Sequence, residues 1–325
     1  MRLTYLAVIR LSEGVGAAQM ESMPMKKSVN VFALALLACS ALAFAAGWGA
    51  SRLSTPAVAV PVAGPAEPAA SPAELLARFQ AVDWRSPGGA GDELAPALAG
   101  NPALREAALA RFRQEQEMTP KYNLLNVLRS GASPELAGIA LDWAQRSDSA
   151  AARRDGFLLM HAVPTGAQGY RLARQALDHE ADPAALAAAL RHLQPEEVAH
   201  PADVQQVVPR LHVLTQHPFA DLRSASVQAL AGWDHANRHI ANDVLRLLAD
   251  PDPEVRIAAI GASSIASLKS DPIKKRLLGL LNDPSQMLDV RSVALMNLDR
   301  FAFTPDEHAD LMVGKRQLED DAKKP

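Results

Sequence analysis

The sequence predicts an all-α chain, an α-α superhelix of about five helix pairs behind an N-terminal membrane segment. Three observations carry that expectation. A polar residue followed by proline recurs along the body as a helix-start mark. Between these marks apolar residues return every three or four positions, the period of one helix face. Near the start, 24 consecutive residues between Lys27 and Arg52 carry no formal charge.

At 325 residues the chain is long enough for one or two domains with sizeable cores. It is rich in alanine and only 5% aromatic, which favours helix over sheet. Beyond Arg52 the chain holds 28 basic against 34 acidic residues, a net charge near −6, so nucleic acid is not an expected partner. The single cysteine, Cys39, lies inside the opening segment, which rules out an internal disulfide and a cysteine-based metal site.

Residues 1–24 have no continuous apolar core and offer Met20, Met23 and Met25 as alternative starts, so they read as an over-called start or a disordered lead. Residues 25–52 read as a signal-anchor or transmembrane segment. As a helix, residues 28–51 reach roughly 36 Å, enough for a hydrocarbon core of about 30 Å. Lys26 and Lys27 mark its cytoplasmic side. Two other readings stay open. Ala41-Leu42-Ala43 and Ala43-Phe44-Ala45 suit signal peptidase, and Leu36-Leu37-Ala38-Cys39 resembles a bacterial lipobox, with lipidation at Cys39. The apolar run continues through Gly47-Trp48-Gly49-Ala50, which favours an uncleaved anchor. The expected location is therefore the inner membrane, single-pass, with the C-terminal domain in the periplasm of a Gram-negative bacterium. A periplasmic protein after signal cleavage and a lipoprotein are the alternatives. Residues 53–70, rich in proline and alanine, form a semi-stiff spacer with a reach near 50 Å at about 3.1 Å per residue.

Cap-plus-proline pairs mark helix starts at Ser71-Pro72, Asn101-Pro102, Thr119-Pro120, Ser133-Pro134, Asp182-Pro183, Asp252-Pro253, Asp271-Pro272 and Thr304-Pro305. A short polar side chain satisfies free N–H groups at the cap, and proline at the first helical position loses no bond that would otherwise form. Ser71 with Glu74 makes a capping box. Residues 71–132 are helical without a visible repeat and read as a divergent N-terminal cap; residues 318–325 read as a disordered tail.

Three segments superpose: His217 to Leu230, Asp250 to Ser263 and Asp283 to Leu298. Each opens on His or Asp followed by Pro, passes an acid (Asp221, Glu254, Asp289) and reaches an aliphatic-Arg pair at Arg223, Arg256 and Arg291, 33 and 35 residues apart. The third copy carries a two-residue insertion, Ser285-Gln286. Weaker copies lie at Ser147 to Val163, with Arg153 in the arginine slot, and at Asp178 to Leu193, where Leu186 stands in that slot. These residues resemble HEAT repeats of the short bacterial type, over residues 133–317. The resemblance implies stacked helix pairs and a ladder between neighbouring repeats, carried by Arg153, Arg223, Asp250, Arg256, Asp283 and Arg291. Pro209 is expected to kink the helix that contains it.

Signs of chemistry are sparse. His235, His239 and Asp243 share an i, i+4, i+8 spacing, but Asn237 reads as a cap that would put His235 in the preceding turn. HEAT-like di-iron hydroxylases use several repeated His-Glu pairs, whereas this chain has His179-Glu180 alone. There is no Gly-x-Ser-x-Gly elbow. Lys274-Lys275-Arg276 reads as a solvated helix face, and Trp84, Trp143 and Trp233 as core. No cofactor, metal or catalytic residue is therefore assigned. The expectation is a membrane-anchored scaffold or adaptor that binds a protein partner along its concave surface, and not an enzyme. The alternative is a HEAT-like enzyme or enzyme-accessory protein, metal-dependent or lyase-like.

Overall fold

The computed structural model describes residues 71–86, 92–146, 148–193, 195, 201–234 and 240–323, and Ser71–Pro325 forms one compact unit. The expected membrane segment, Cys39 and the spacer lie outside the described residues. Among the described residues no helix is long and apolar enough to cross a membrane.

The chain begins with α1 (Pro72–Ala81), a 3-10 turn at Asp92–Leu94 and the short α2 (Ala95–Leu98). Next come α3 (Pro102–Gln114) with α4 (Met118–Ser130), and α5 (Pro134–Ala144) with α6 (Ala150–Met160). The following pairs are α7 (Gly166–His179) with α8 (Pro183–Leu190), and α9 (Pro201–Leu214) with α10 (Ala220–Trp233). Then come α11 (Ile240–Leu247) with α12 (Pro253–Ile265), α13 (Asp271–Asn282) with α14 (Leu288–Leu298), and a closing helix α15 (Pro305–Lys323). Among the described residues there is no strand.

Most of the proline marks start helices as their chemistry dictates. Ser71, Asn101, Ser133, Asp182 and Asp252 each accept a main-chain N–H from the first turn of the helix they precede. Thr304 and Glu307 close a second capping box at the head of α15. Two marks are displaced. α4 opens at Met118, so Pro120 is its third residue, and α13 opens at Asp271 after Ser270. Proline is tolerated anywhere in the first turn, because those N–H groups have no partner inside the helix.

Stacking runs through the second helix of each pair: α6 on α8, α8 on α10, α10 on α12 and α12 on α14. One apolar core extends from Phe79 to Ala189, so residues 71–132 share the core of the pairs that follow although their sequence does not match the repeat. α1 packs on α3 and α2 on α4, while Arg105 pairs with Glu135 at 2.5 Å and the fully buried Lys121 pairs with Asp155 at 2.7 Å, carrying the stack into α5 and α6. What stacking demands is a pair of apolar helix faces; the Asp-Pro and Val-Arg signature is one way of trimming the turns.

The rungs follow a 27-residue step where they close. Arg153 donates to both oxygens of Glu180 at 2.7 and 2.9 Å, and Arg223 to both oxygens of Asp250 at 2.8 and 2.7 Å. Each arginine also holds its own preceding turn, Arg153 through the carbonyl of Arg146 and Arg223 through those of His217 and Pro218. Burial works against the charge on Glu180 and Asp250, but the guanidinium bonds and a turn N–H outweigh it and keep both carboxyls below their ordinary range.

The other two expected rungs differ. Arg256 donates to the carbonyls of Asp250 and Pro251 and leaves a buried Nε without a partner, whereas Asp283 accepts from Ser285 and Gln286. The inserted pair thus takes the carboxylate that the arginine would have met. Arg291, 1% exposed, pairs at 2.6 Å with Asp321 of α15 and donates to the carbonyl of Leu281, so the terminal helix supplies the last acid. Lys274 also departs from expectation: it is buried against α15, donating to Glu307 and to the carbonyl of Ala302.

Gly156 marks a close helix approach. A Cβ there would come within 2.2 Å of the main-chain nitrogen of Ala144 and 2.8 Å of the carbonyl oxygen of Ala140. Backbone atoms cannot yield as a flexible side chain can, so α5 and α6 would have to separate.

Two outcomes follow for urea denaturation. Gly156→Ala is expected to cost at least the ~1–3 kcal/mol typical of overpacking, despite alanine's better helix propensity. Asp250→Ala strands the Arg223 guanidinium and is expected to cost about 3–5 kcal/mol, while Asp221→Ala stays within about 0.5 kcal/mol. Equal midpoints for the two aspartate variants would contradict the rung.

Candidate interaction surface

The two rows of helices differ in how they meet. From α6 to α14 the second helices touch directly, whereas the first helices α7, α9 and α11 are bridged by polar side chains. Between α7 and α9, Arg174 donates to Gln206 at 2.7 Å and Arg210 to Asp178 at 2.9 Å. Between α9 and α11, the His212 Nδ1–H donates to the Asp243 carboxylate at 2.6 Å, and Arg246 donates to the hydroxyl and carbonyl of Thr215. The second helices therefore form the more closely packed row.

Along that row a hollow of about 120 Å³ is shared by four successive second helices, α4, α6, α8 and the start of α10. Its floor is α8, whose run Pro183-Ala-Ala-Leu-Ala-Ala-Ala-Leu190 presents Ala184 and Ala187, side chains that end at Cβ and leave the helix low between taller neighbours. Tyr122 and Arg154 stand on one flank and Phe219 on the other. The Tyr122 hydroxyl, on an exposed ring, accepts a 3.0 Å bond from Arg191. The hollow thus has an apolar floor and a rim of aromatic and guanidinium groups, residue types enriched at protein interfaces.

The sequence-derived metal candidates do not come together as ligands. His235 and His239 lie outside the described residues. Asp243 is buried, and its oxygens are taken by His212, Thr215 and Arg246. His179 is exposed at the end of α7, while Glu180 is bound to Arg153. Among the described residues no group of three or more His, Cys, Asp or Glu side chains could hold a metal ion. Trp84 and Trp233 are buried, and Trp233 donates to the Leu193 carbonyl; Trp143 is half-buried beneath the Arg113 guanidinium.

One polar cluster escapes sequence reasoning. His161 follows α6 and His192 follows α8, and their rings meet edge to face at 5.7 Å. The two side chains fall together because they close successive second helices, 31 residues apart, a relation visible only once the repeat register is known. His192 Nε2 shares a 3.0 Å bond with the Thr165 hydroxyl, and His161 Nε2 is sealed from solvent without a partner. Burial, followed by the charges of His192, Arg191 and Arg129, pushes the His161 pKa down to about 3.

With this geometry in hand, residues 207–299 match the family model described as HEAT repeats. The match spans the second half of α9 to the end of α14 and includes all three of the clearest sequence copies. Comparison with curated proteins gave no match. Among solved structures, the X-ray structure of YibA from Escherichia coli is similar, with 14% identity and a TM-score of 0.47, over 66% of this chain and 76% of that one.

The sealed imidazole makes stability depend on pH in a definite direction. A folded-state pKa below the ordinary 6.5 means that the fold favours the neutral ring, so its contribution is complete above about pH 6.5 and is lost as pH falls toward 3. Between pH 7 and pH 5 the unfolding free energy is expected to drop by about 2 kcal/mol in urea titrations, and His161→Asn is expected to flatten that drop. An unchanged slope in the variant would place the titration elsewhere.

Proposed function

We propose that this chain, a HEAT-repeat protein over residues 207–299, is a scaffold that binds a protein partner along its row of second helices. The observation that carries this reading is the hollow shared along the row of second helices, where an alanine floor lies between Tyr122 and Phe219 and four helices contribute to one surface. A side chain or helix ridge of a partner can settle against the floor, while the guanidinium and phenol groups of the rim give it register. In this reading the protein catalyses nothing itself and uses no cofactor. The uncharged stretch of residues 28–51 supports the further proposal that the scaffold is held in the inner membrane with its repeats in the periplasm, and that residues 53–70 set its reach from the bilayer.

The test is crosslinking of the tagged full-length protein in its native membrane, with mass spectrometry of captured proteins and elemental analysis of the same sample. A reproducible partner is expected, with capture at least tenfold lower for Tyr122→Glu and unchanged for Arg171→Glu on the exposed face of α7. Stoichiometric iron or zinc without a partner would overturn the scaffold reading.

A further inference from the structure

The arginine ladder is interrupted between the α7–α8 and α9–α10 pairs, and both of its members change there. Leu186 occupies the slot held by Arg153, Arg223 and Arg256, and His217 the slot held by Glu180, Asp250 and Asp283. Where a rung closes, a guanidinium and a carboxylate fill the seam between successive pairs, as Arg153 does with Glu180 and Arg223 with Asp250. At this seam both members are replaced, and a cleft of about 460 Å³ opens that Leu186 and His217 both line. Its size is within the range of small-ligand sites.

The wall is largely aliphatic, formed by Leu177, Ala181, Leu186, Val213, Leu214 and Leu222. Val213, 66% exposed, is the most open large apolar side chain among the described residues. The charges around the cleft are matched. Asp178 is held by Arg174 and Arg210, Glu180 by Arg153 at both oxygens, and Asp182 caps α8 through the Ala185 N–H. Three guanidinium groups thus stand against three carboxylates, and an ionised ligand would either break one of these pairs or lie unpaired on hydrocarbon. One donor is left over. The Nδ1 of His217 accepts the Phe219 N–H at 3.1 Å, so the ring carries its proton on Nε2.

We propose that this cleft binds a small neutral aliphatic molecule with one oxygen acceptor, of the class of medium-chain alcohols, esters and amides. Its hydrocarbon lies against the leucine wall and its oxygen accepts from the His217 Nε2–H. The absent rung makes the room, the wall selects the chain, and the matched charges select against fatty acids and amines. The site lies in the seam between two helix pairs and does not rest on the scaffold reading.

Full-length protein in lipid nanodiscs is irradiated with a decanol that carries a mid-chain diazirine and a terminal alkyne, and the labelled peptides are mapped by mass spectrometry. Saturable labelling within residues 177–222 is expected, at least about tenfold lower with excess 1-decanol and at least about tenfold lower for the matching decanoate probe. Leu186→Arg combined with His217→Asp, which restores both members of the rung, is expected to remove the labelling while circular dichroism stays that of the parent. Val213→Asp, at an exposed position that the fold tolerates, is expected to lower it at least about threefold. Labelling spread equally to the exposed Ile265 and Met296, no competition by 1-decanol, equal labelling by decanoate, or labelling unchanged in both variants would overturn the proposal.

Discussion

A helix pair of eight- to fourteen-residue helices has more apolar surface than its two members can hide from water, and everything else in this molecule follows from where the excess goes. It goes onto the second helix of the next pair. Leu222, Val227 and Leu230 of α10 and Val255, Ala259 and Ile260 of α12 are all buried in helices that stack directly on each other. Because the contact repeats, no single pair is stable alone, and each is held by the neighbour on either side. Small residues set the spacing: Gly156 lets α6 lie on the backbone of α5, and the alanines of α8 let both its neighbours approach.

The polar interactions act on this frame at its turns. Arg153 and Arg223 each bind the turn before their own helix and the turn between the two helices of the next pair, so a single side chain fixes two loops. Buried ion pairs contribute little net stability when compared with apolar packing, but they penalise any register in which the charge is unpaired. The arginines therefore specify how one pair sits on the next more than they drive the stacking. Where the insertion Ser285-Gln286 diverts Asp283, α14 and α15 keep their places through Arg291 and Asp321 instead.

The all-α architecture, most helix starts and the repeat register were legible in the sequence, because proline caps and apolar periodicity are local signals. The rung partners were legible only where the spacing between copies stays constant. Arg256 and Asp283 keep the 27-residue step, yet the adjoining hydroxyl and amide of Ser285 and Gln286 outcompete the distant guanidinium. Burial of Lys274 was hidden because α15, which covers it, lies about thirty residues further on and has a polar sequence. The hollow along the second helices and the meeting of His161 with His192 depend on which residues of different helices share a face, and a linear pattern encodes that only after the stack is built.

The contrast between the two helix rows has a mechanical consequence. Close-packed apolar contacts resist being pulled apart, since any gap forfeits dispersion and admits water. Bridges such as Arg210 to Asp178 can lengthen or exchange with solvent at small cost, both side chains being partly exposed. A stack that is stiff along one edge and compliant along the other behaves as a leaf spring. Its softer edge is the bridged row, where neighbouring pairs can separate slightly while the order of the helices is preserved.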